Sequence, residues 1–390
     1  MKKKLHIAVL AGLIAASGVL AGCSSTETSQ KNIEPQQTNQ TETQKEENKE
    51  VSVSTIYKEA VDELAKANEG QTVDYQKVID LYTKELQPLV QKRDAEFNES
   101  ADQQIMAALE AGKNNSMDGV VVKQIFDKLM QKNFFFTIRH EFTEVAENWD
   151  NKDKVKEEMK EAKEFYAILK STVEKRDAAY QTQLVAKIDA GFAEMDKAIE
   201  AGDQLGFQLG KQVVDKTLMK TFYLATGALP NGYASKIAAQ EDEKEAKAEQ
   251  AEGWAFYQAL NGYLVKNAKE EAEFIQSQFD LATDVKALDP NDINNAFVRG
   301  FATVALKEYE ESQENWGKDK AVITALEGAL FIDMIDTDLQ RILGEEAYNT
   351  LNEQAQKHLE ATKALNQEEA KNILTEIEKS LNTAIEKASK

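Results

Sequence analysis

The chain has 390 residues, with 47 Lys and Arg against 68 Asp and Glu, a formal net charge of −21, and a single cysteine. This acidic balance argues against nucleic acid or an anionic membrane surface as a partner, and one thiol excludes a disulfide framework. Length alone allows one to three domains with a sizeable core.

The first element is the N-terminus. Lys2, Lys3 and Lys4 precede the apolar stretch "LHIAVLAGLIAASGVL", which only His6 and Ser17 interrupt. It is short and rich in Gly and Ala for a permanent span. Ala21 and Gly22 then lead into Cys23, the only cysteine. Residues 1–23 resemble a bacterial lipoprotein signal with a Leu-Ala-Gly-Cys lipobox. The resemblance implies cleavage after residue 22, diacylation of the Cys23 sulfur, and display on the outer face of the cell membrane, or on an outer membrane if the source has one. Two acyl chains suit stable anchoring, which one chain does not give. Loss of Lys2, Lys3 and Lys4, and of no acid, leaves 44 basic against 68 acidic side chains, or −24. No free thiol then remains for metal binding or redox chemistry.

Residues 24–53 are rich in Ser, Thr, Gln, Asn and Glu and nearly devoid of apolar side chains. Such a segment buries too little surface to offset its ordering entropy. It is expected to be a flexible tether, with a mean reach of roughly 30 Å for about 30 residues. The folded domain is expected over 54–390.

The body is expected to be all-α. Only Pro88, Pro230 and Pro290 fall in it, and no alternating strand or hairpin turn is evident. In "VVKQIFDKLMQKNFFFTI", Val122, Ile125, Phe126, Leu129 and Met130 recur at helical spacing. Asp289 before Pro290 reads as an N-cap followed by proline at the first helical position. Asn366 and Glu369 read as an asparagine variant of a capping box.

Self-comparison reveals internal repeats. "KRDAEF" (92–97) matches "KRDAAY" (175–180), and "ALEAG" (108–112) matches "AIEAG" (198–202). "KQIFDK" (123–128) matches "KQVVDK" (211–216). "HEFTEVAENWDNKDK" (140–154) matches "KEYEESQENWGKDK" (307–320). "EAKEFY" (161–166), "EGWAFY" (252–257) and "EGALFI" (327–332) align with one another. The order of these matches predicts about three antiparallel helical hairpins of 75 to 91 residues in an elongated array, closed by a C-terminal capping helix. Trp149 and Trp316 close the first helix of copies one and three. Copy two has the irregular connection "GALPNGYASK" instead.

Each copy carries a base two residues before a Phe and a Glu four residues before another. The bases are Lys132, Lys220 and Arg299; the acids are Glu161, Glu252 and Glu327. On facing helices they would form Lys132–Glu161, Lys220–Glu252 and Arg299–Glu327 pairs. These would either fix helix register or line a groove that grips an anionic or zwitterionic ligand. The aromatic runs read as core. Phe134, Phe135 and Phe136 point to three successive faces, so at least one must leave a simple two-helix seam.

His140 and Glu144 share a helix face at i, i+4, half of a metal site. Lys307 at the aligned position of copy three argues against that role. His358 has no comparable partner pattern. "DPNDIN" and "DTD" lack the glycine and terminal Glu of a calcium loop. Nothing resembles a nucleophile elbow, a P-loop or a dinucleotide fingerprint, and no cofactor is expected. The residues favour a lipid-anchored, exported, non-catalytic binding or scaffolding protein whose partner is an unidentified envelope protein or small ligand. A surface receptor for a solute or metal complex, serving an uptake system, is the second reading; an enzyme is the third.

Overall fold

The computed structural model describes residues 52–390. The signal, Cys23 and the tether up to residue 51 lie outside the described residues. The chain is all-α, and no strand occurs among the described residues. Ser52 accepts a hydrogen bond from the Thr55 N–H and caps the first helix, which starts one residue before the expected boundary.

The N-terminal group is α1 (Val53–Ala65), α2 (Tyr75–Leu81), α3 (Gln87–Phe97) and α4 (Ala101–Lys113). Next come α5 (Gly119–Glu147), α6 (Lys152–Tyr180), α7 (Leu184–Ala201), α8 (Gln204–Thr226) and the short α9 (Tyr233–Ala239). They are followed by α10 (Glu243–Asn267), α11 (Lys269–Phe279), α12 (Pro290–Glu314) and α13 (Asp319–Met334). The chain ends in α14 (Asp336–Leu343), α15 (Glu345–Lys363) and α16 (Gln367–Lys387). No helix among the described residues is long and apolar enough to cross a membrane.

Short polar side chains start these helices because they satisfy first-turn N–H groups that have no partner inside the helix. Asp118, Asn151, Asp203 and Asp242 cap α5, α6, α8 and α10 in this way. Asp289 caps α12 with Pro290 at its first turn, as the sequence indicates. Asn366 precedes α16, but its side chain donates to the Glu369 carboxylate at 2.6 Å instead of capping the backbone.

The expected hairpins are present. α5 packs on α6, α8 on α10, and α12 on α13. In copy two the irregular connection after Thr226 and the short α9 stand between the partners. Successive copies are joined by α5 against α10 and α8 against α13, while α1–α4 pack on one another and on α5. Contacts therefore pass along the array in chain order, as in stacked repeats. The C-terminal cap is a hairpin, α15 with α16, and α16 also covers α12.

This stacking explains the FFF run. Helices in the middle of an array have neighbours on every side, so no single apolar stripe suffices. The Phe134 ring centroid lies 5.0 Å from that of Tyr57 and 5.8 Å from Phe165. Phe135 meets Phe222 of the next copy at 5.4 Å. Phe136 meets Phe97 at 4.9 Å. The repeated Glu-Gly of "EGWAFY" and "EGALFI" also has a packing cause. A Cβ on Gly253 would lie 2.4 Å from the Phe279 ring, and one on Gly328 would lie 2.8 Å from the Tyr309 ring. Both glycines let an aromatic ring rest against the helix backbone.

Candidate functional site

Of the six repeated charges Lys132 and Lys220 are buried and the other four partly buried, but they do not pair as the alignment suggests. Lys132 holds Glu99 at 2.6 Å. Lys220 holds Asp336 at 3.0 Å and donates to the Asp333 carbonyl at 2.6 Å. Arg299 holds Glu271 at 3.2 Å and donates to the Ala388 carbonyl at 2.7 Å. Glu252 accepts from the Tyr233 hydroxyl and faces Lys128 at 3.7 Å. Glu327 receives Lys216 at 3.0 Å. Glu161 joins two other acids, Glu141 and Glu158. The predicted Lys132–Glu161, Lys220–Glu252 and Arg299–Glu327 pairs are thus replaced by others. Helix rotation and stacking bring the base one turn earlier toward the acid of the next copy. So Lys128 meets Glu252, and Lys216 meets Glu327.

Those lysines end the matched "KQIFDK" and "KQVVDK" segments, and the preceding aspartates complete the repeat. Asp127 accepts from Lys128 at 2.8 Å, Lys123 at 3.2 Å and Gln131 at 2.8 Å. Asp215 accepts from Arg139 at 2.6 Å and Lys216 at 2.9 Å. Burial pushes both carboxyls up, but the adjacent cations override it and hold them well below the ordinary carboxylate range. Burial would likewise depress Lys216; Asp215 and Glu327 outweigh it and hold the ammonium charged. In α12 the aligned pair is Asn294 and Asn295. There a neutral amide donates to the Tyr223 hydroxyl and to the Gly227 carbonyl.

A second repeated feature is a contact between acids that the alignment alone does not reveal. Glu141 and Glu308 occupy aligned positions, as do Glu161 and Glu327, and each aligned pair meets across a hairpin. In copy one, Glu141, Glu158 and Glu161 place one oxygen each within 4.8 Å of the others. Burial, then the Glu158 hydrogen bond and the Glu161 charge, raise Glu141 to about 9. Its carboxyl is therefore protonated at neutral pH. Glu141→Gln is expected to stabilise the protein at pH 7 by up to about 3 kcal/mol, since the unfolded wild type ionises there and the glutamine variant does not. The advantage should fade as the pH falls to about 4.5, near the ordinary carboxyl pKa. Urea unfolding at both pH values checks it, and equal stability of the two proteins at pH 7 would contradict it.

In copy three the corresponding pair lies at the floor of an open cleft of about 650 Å³. Phe97, Phe136 and Tyr263 supply aromatic wall, α12 presents Glu308, Glu311 and Glu314, and α13 contributes Glu327. Glu308 is buried and accepts from the Tyr263 hydroxyl at 2.8 Å. Burial, then the Glu327 charge, raise Glu308 to about 7. Arg139 also borders the cleft but is committed to Asp215, and Lys307 donates to the Asn267 carbonyl. The volume falls in the range of small-molecule sites.

His140 and Glu144, the i, i+4 pair, each meet another partner. His140 places Nδ1 3.0 Å from Glu96, and Glu144 binds Lys154 at 2.6 Å. His358 is fully buried on α15, edge-on to Tyr309. The cleft was illegible in the sequence because its walls come from five separated helices, α3, α5, α10, α12 and α13; the match of Glu308 to Glu141 was its one signal. No family model, curated protein or solved structure matches this chain.

Proposed function

We propose that the protein is a lipid-anchored, exported, non-catalytic binding protein of the bacterial envelope, which presents the Phe136–Tyr263–Glu308 cleft to a partner. The observation that carries this reading is the cleft itself, set in a frame of buried ion pairs. Those pairs tie each copy to the next and hold the helices around the opening in fixed register. The residues support the address independently: a charged N-terminal region, a short apolar stretch and Leu-Ala-Gly-Cys. A receptor for a small solute is the second reading, favoured by the volume and mixed lining of the cleft.

The address predicts that Cys23→Ala abolishes partitioning of the protein with membranes into detergent. Unchanged partitioning would refute the anchor. The binding reading is tested in intact cells by a photo-crosslinker placed at Lys266, on the cleft rim, and by another at Lys379, on the exposed side of α16. Adducts from the rim position, absent from the control, are expected. Equal labelling from both positions, or none from the rim, would remove the cleft as the binding surface.

A further inference from the structure

We infer that the cleft takes an organic ammonium ligand, a primary amine carried on a hydrocarbon chain, whose charge replaces a proton shared by Glu308 and Glu327. This rests on the cleft being a ligand site and names the class of ligand. The argument begins with a local charge count. Two carboxyls, Glu308 and Glu327, meet at the floor, with one lysine, Lys216, bonded to Glu327 at 3.0 Å. Lys216 also serves Asp215 at 2.9 Å. Two facing carboxylates that share part of one ammonium cannot both stay ionised in a buried site; a proton or a second cation must complete the set.

The groups facing Glu308 are accounted for helix by helix. α8 supplies Lys216, whose ammonium lies 5.0 Å from the Tyr263 ring centroid, and the partly buried Lys211, which feels the Glu327 charge without an ion pair to it. α5 supplies Arg139, held by Asp215. α10 supplies the Tyr263 hydroxyl, and Lys266 stands at the rim. α13 supplies Glu327, and Lys320 is taken by Glu311 at 2.5 Å. On α12 itself Lys307 is drawn away to the Asn267 carbonyl. α11 and α16 meet α12 nearer its start, around Arg299. α15 reaches it through His358, against Tyr309 and Gln313. Among the described residues, the one ion pair to the Glu308–Glu327 pair is that of Lys216.

The same pair in copy one shows why a ligand is assigned here and not there. Glu141, Glu158 and Glu161 lie against the packed α5–α6 hairpin, with Arg93 nearby. They do not line the 650 Å³ cleft. The copy-three pair opens onto it. A space of that size exceeds what a bare ion fills, and Phe97, Phe136 and Tyr263 give it an aromatic lining suited to a hydrocarbon chain. Entry of the ammonium requires Glu308 to ionise, so binding releases the shared proton to solvent. The exchange balances in charge: one cation enters as one proton leaves.

The test is isothermal titration of the full chain in detergent with 1,5-diaminopentane at pH 6.5. It is carried out in two buffers of different ionisation enthalpy, so that the protons released are counted. Calcium chloride and glutarate are the comparison probes. Expected are binding of the diamine, release of a substantial fraction of one proton per ligand, and no binding of glutarate. Glu308→Gln should abolish the proton release and weaken binding at least tenfold. Because the proton count is read on the wild type, the inference stays testable even if the variant fails to fold. Failure to bind the diamine, binding without proton release, or tighter binding of calcium with the same release would each overturn it. A wild type that crosslinks a partner from the rim yet ignores the diamine would refute the ligand class and leave the binding reading standing.

Discussion

Asp215→Ala should cost the fold about 3–5 kcal/mol, the range for removing one partner of a buried ion pair. Asp215 sits on α8 with Arg139 on one side and Lys216 on the other, at 2.6 and 2.9 Å. The Lys216 side chain is 4% exposed, so water cannot take the place of the lost carboxylate. Removal leaves two cations side by side and one acid, Glu327, between α8 and α13. The comparison is Asp196→Ala, which breaks the exposed Lys163–Asp196 pair on α6 and α7. That change should cost no more than about 1 kcal/mol. Urea unfolding of both variants decides between burial and mere proximity as the source of the effect. Equal losses would mean that the buried network contributes nothing beyond surface electrostatics. A triple replacement of Asp215, Arg139 and Lys216 by apolar residues of similar size should recover much of the loss, because no charge is then left to desolvate.

The second large effect concerns acid. His358 is fully buried, its Nδ1 has no hydrogen-bond partner, and its Nε2 lies 3.4 Å from Gln313. Burial lowers its pKa from 6.5 to about 4. Above pH 6.5 the ring is neutral in both folded and unfolded chains and adds no pH dependence. Below that, the unfolded chain takes up a proton that the folded one refuses. Stability is lost as the pH falls from about 6.5 to about 4, by about 3 kcal/mol in all. Glu141 and Glu308 act in the opposite sense, since their folded carboxyls bind protons more readily than unfolded ones. The difference between wild type and His358→Leu isolates the histidine. The variant should lose about 3 kcal/mol less than wild type between pH 7 and 4. Parallel stability curves would show that His358 protonates freely in the native state.

Much of the fold is written locally in the sequence. Helix spacing placed the α5 stripe, Asp289 and Pro290 placed the start of α12, and the Trp149 and Trp316 segments placed two hairpin turns. The repeats gave the stacking. What escaped is which acid meets which base. On a helix surrounded by neighbours, Lys128 and Lys132 lie one turn apart and are equally plausible partners for an aligned glutamate. Only the rotation of the helix and the offset between copies choose between them. The acid pairs were hidden for a different reason: in so acidic a chain, carboxylate spacing carries little information. The cleft needs five helices that no local pattern brings together.

The ties between copies bear on how the chain reaches its native state as it is made. Lys187 is compensated by Asp333, 146 residues later, and Lys220 by Asp336 at 3.0 Å and Asp333 at 3.5 Å, the latter 113 residues later. A nascent chain, extended from its N-terminus, finishes α8 well before those acids exist. Until then, closing α7 and α8 into their final packing would trap uncompensated ammonium groups, so the early helices gain little by docking. The stacked array consequently does not mature copy by copy as it lengthens. The final docking of α7 and α8 therefore depends on the α13 end of the chain.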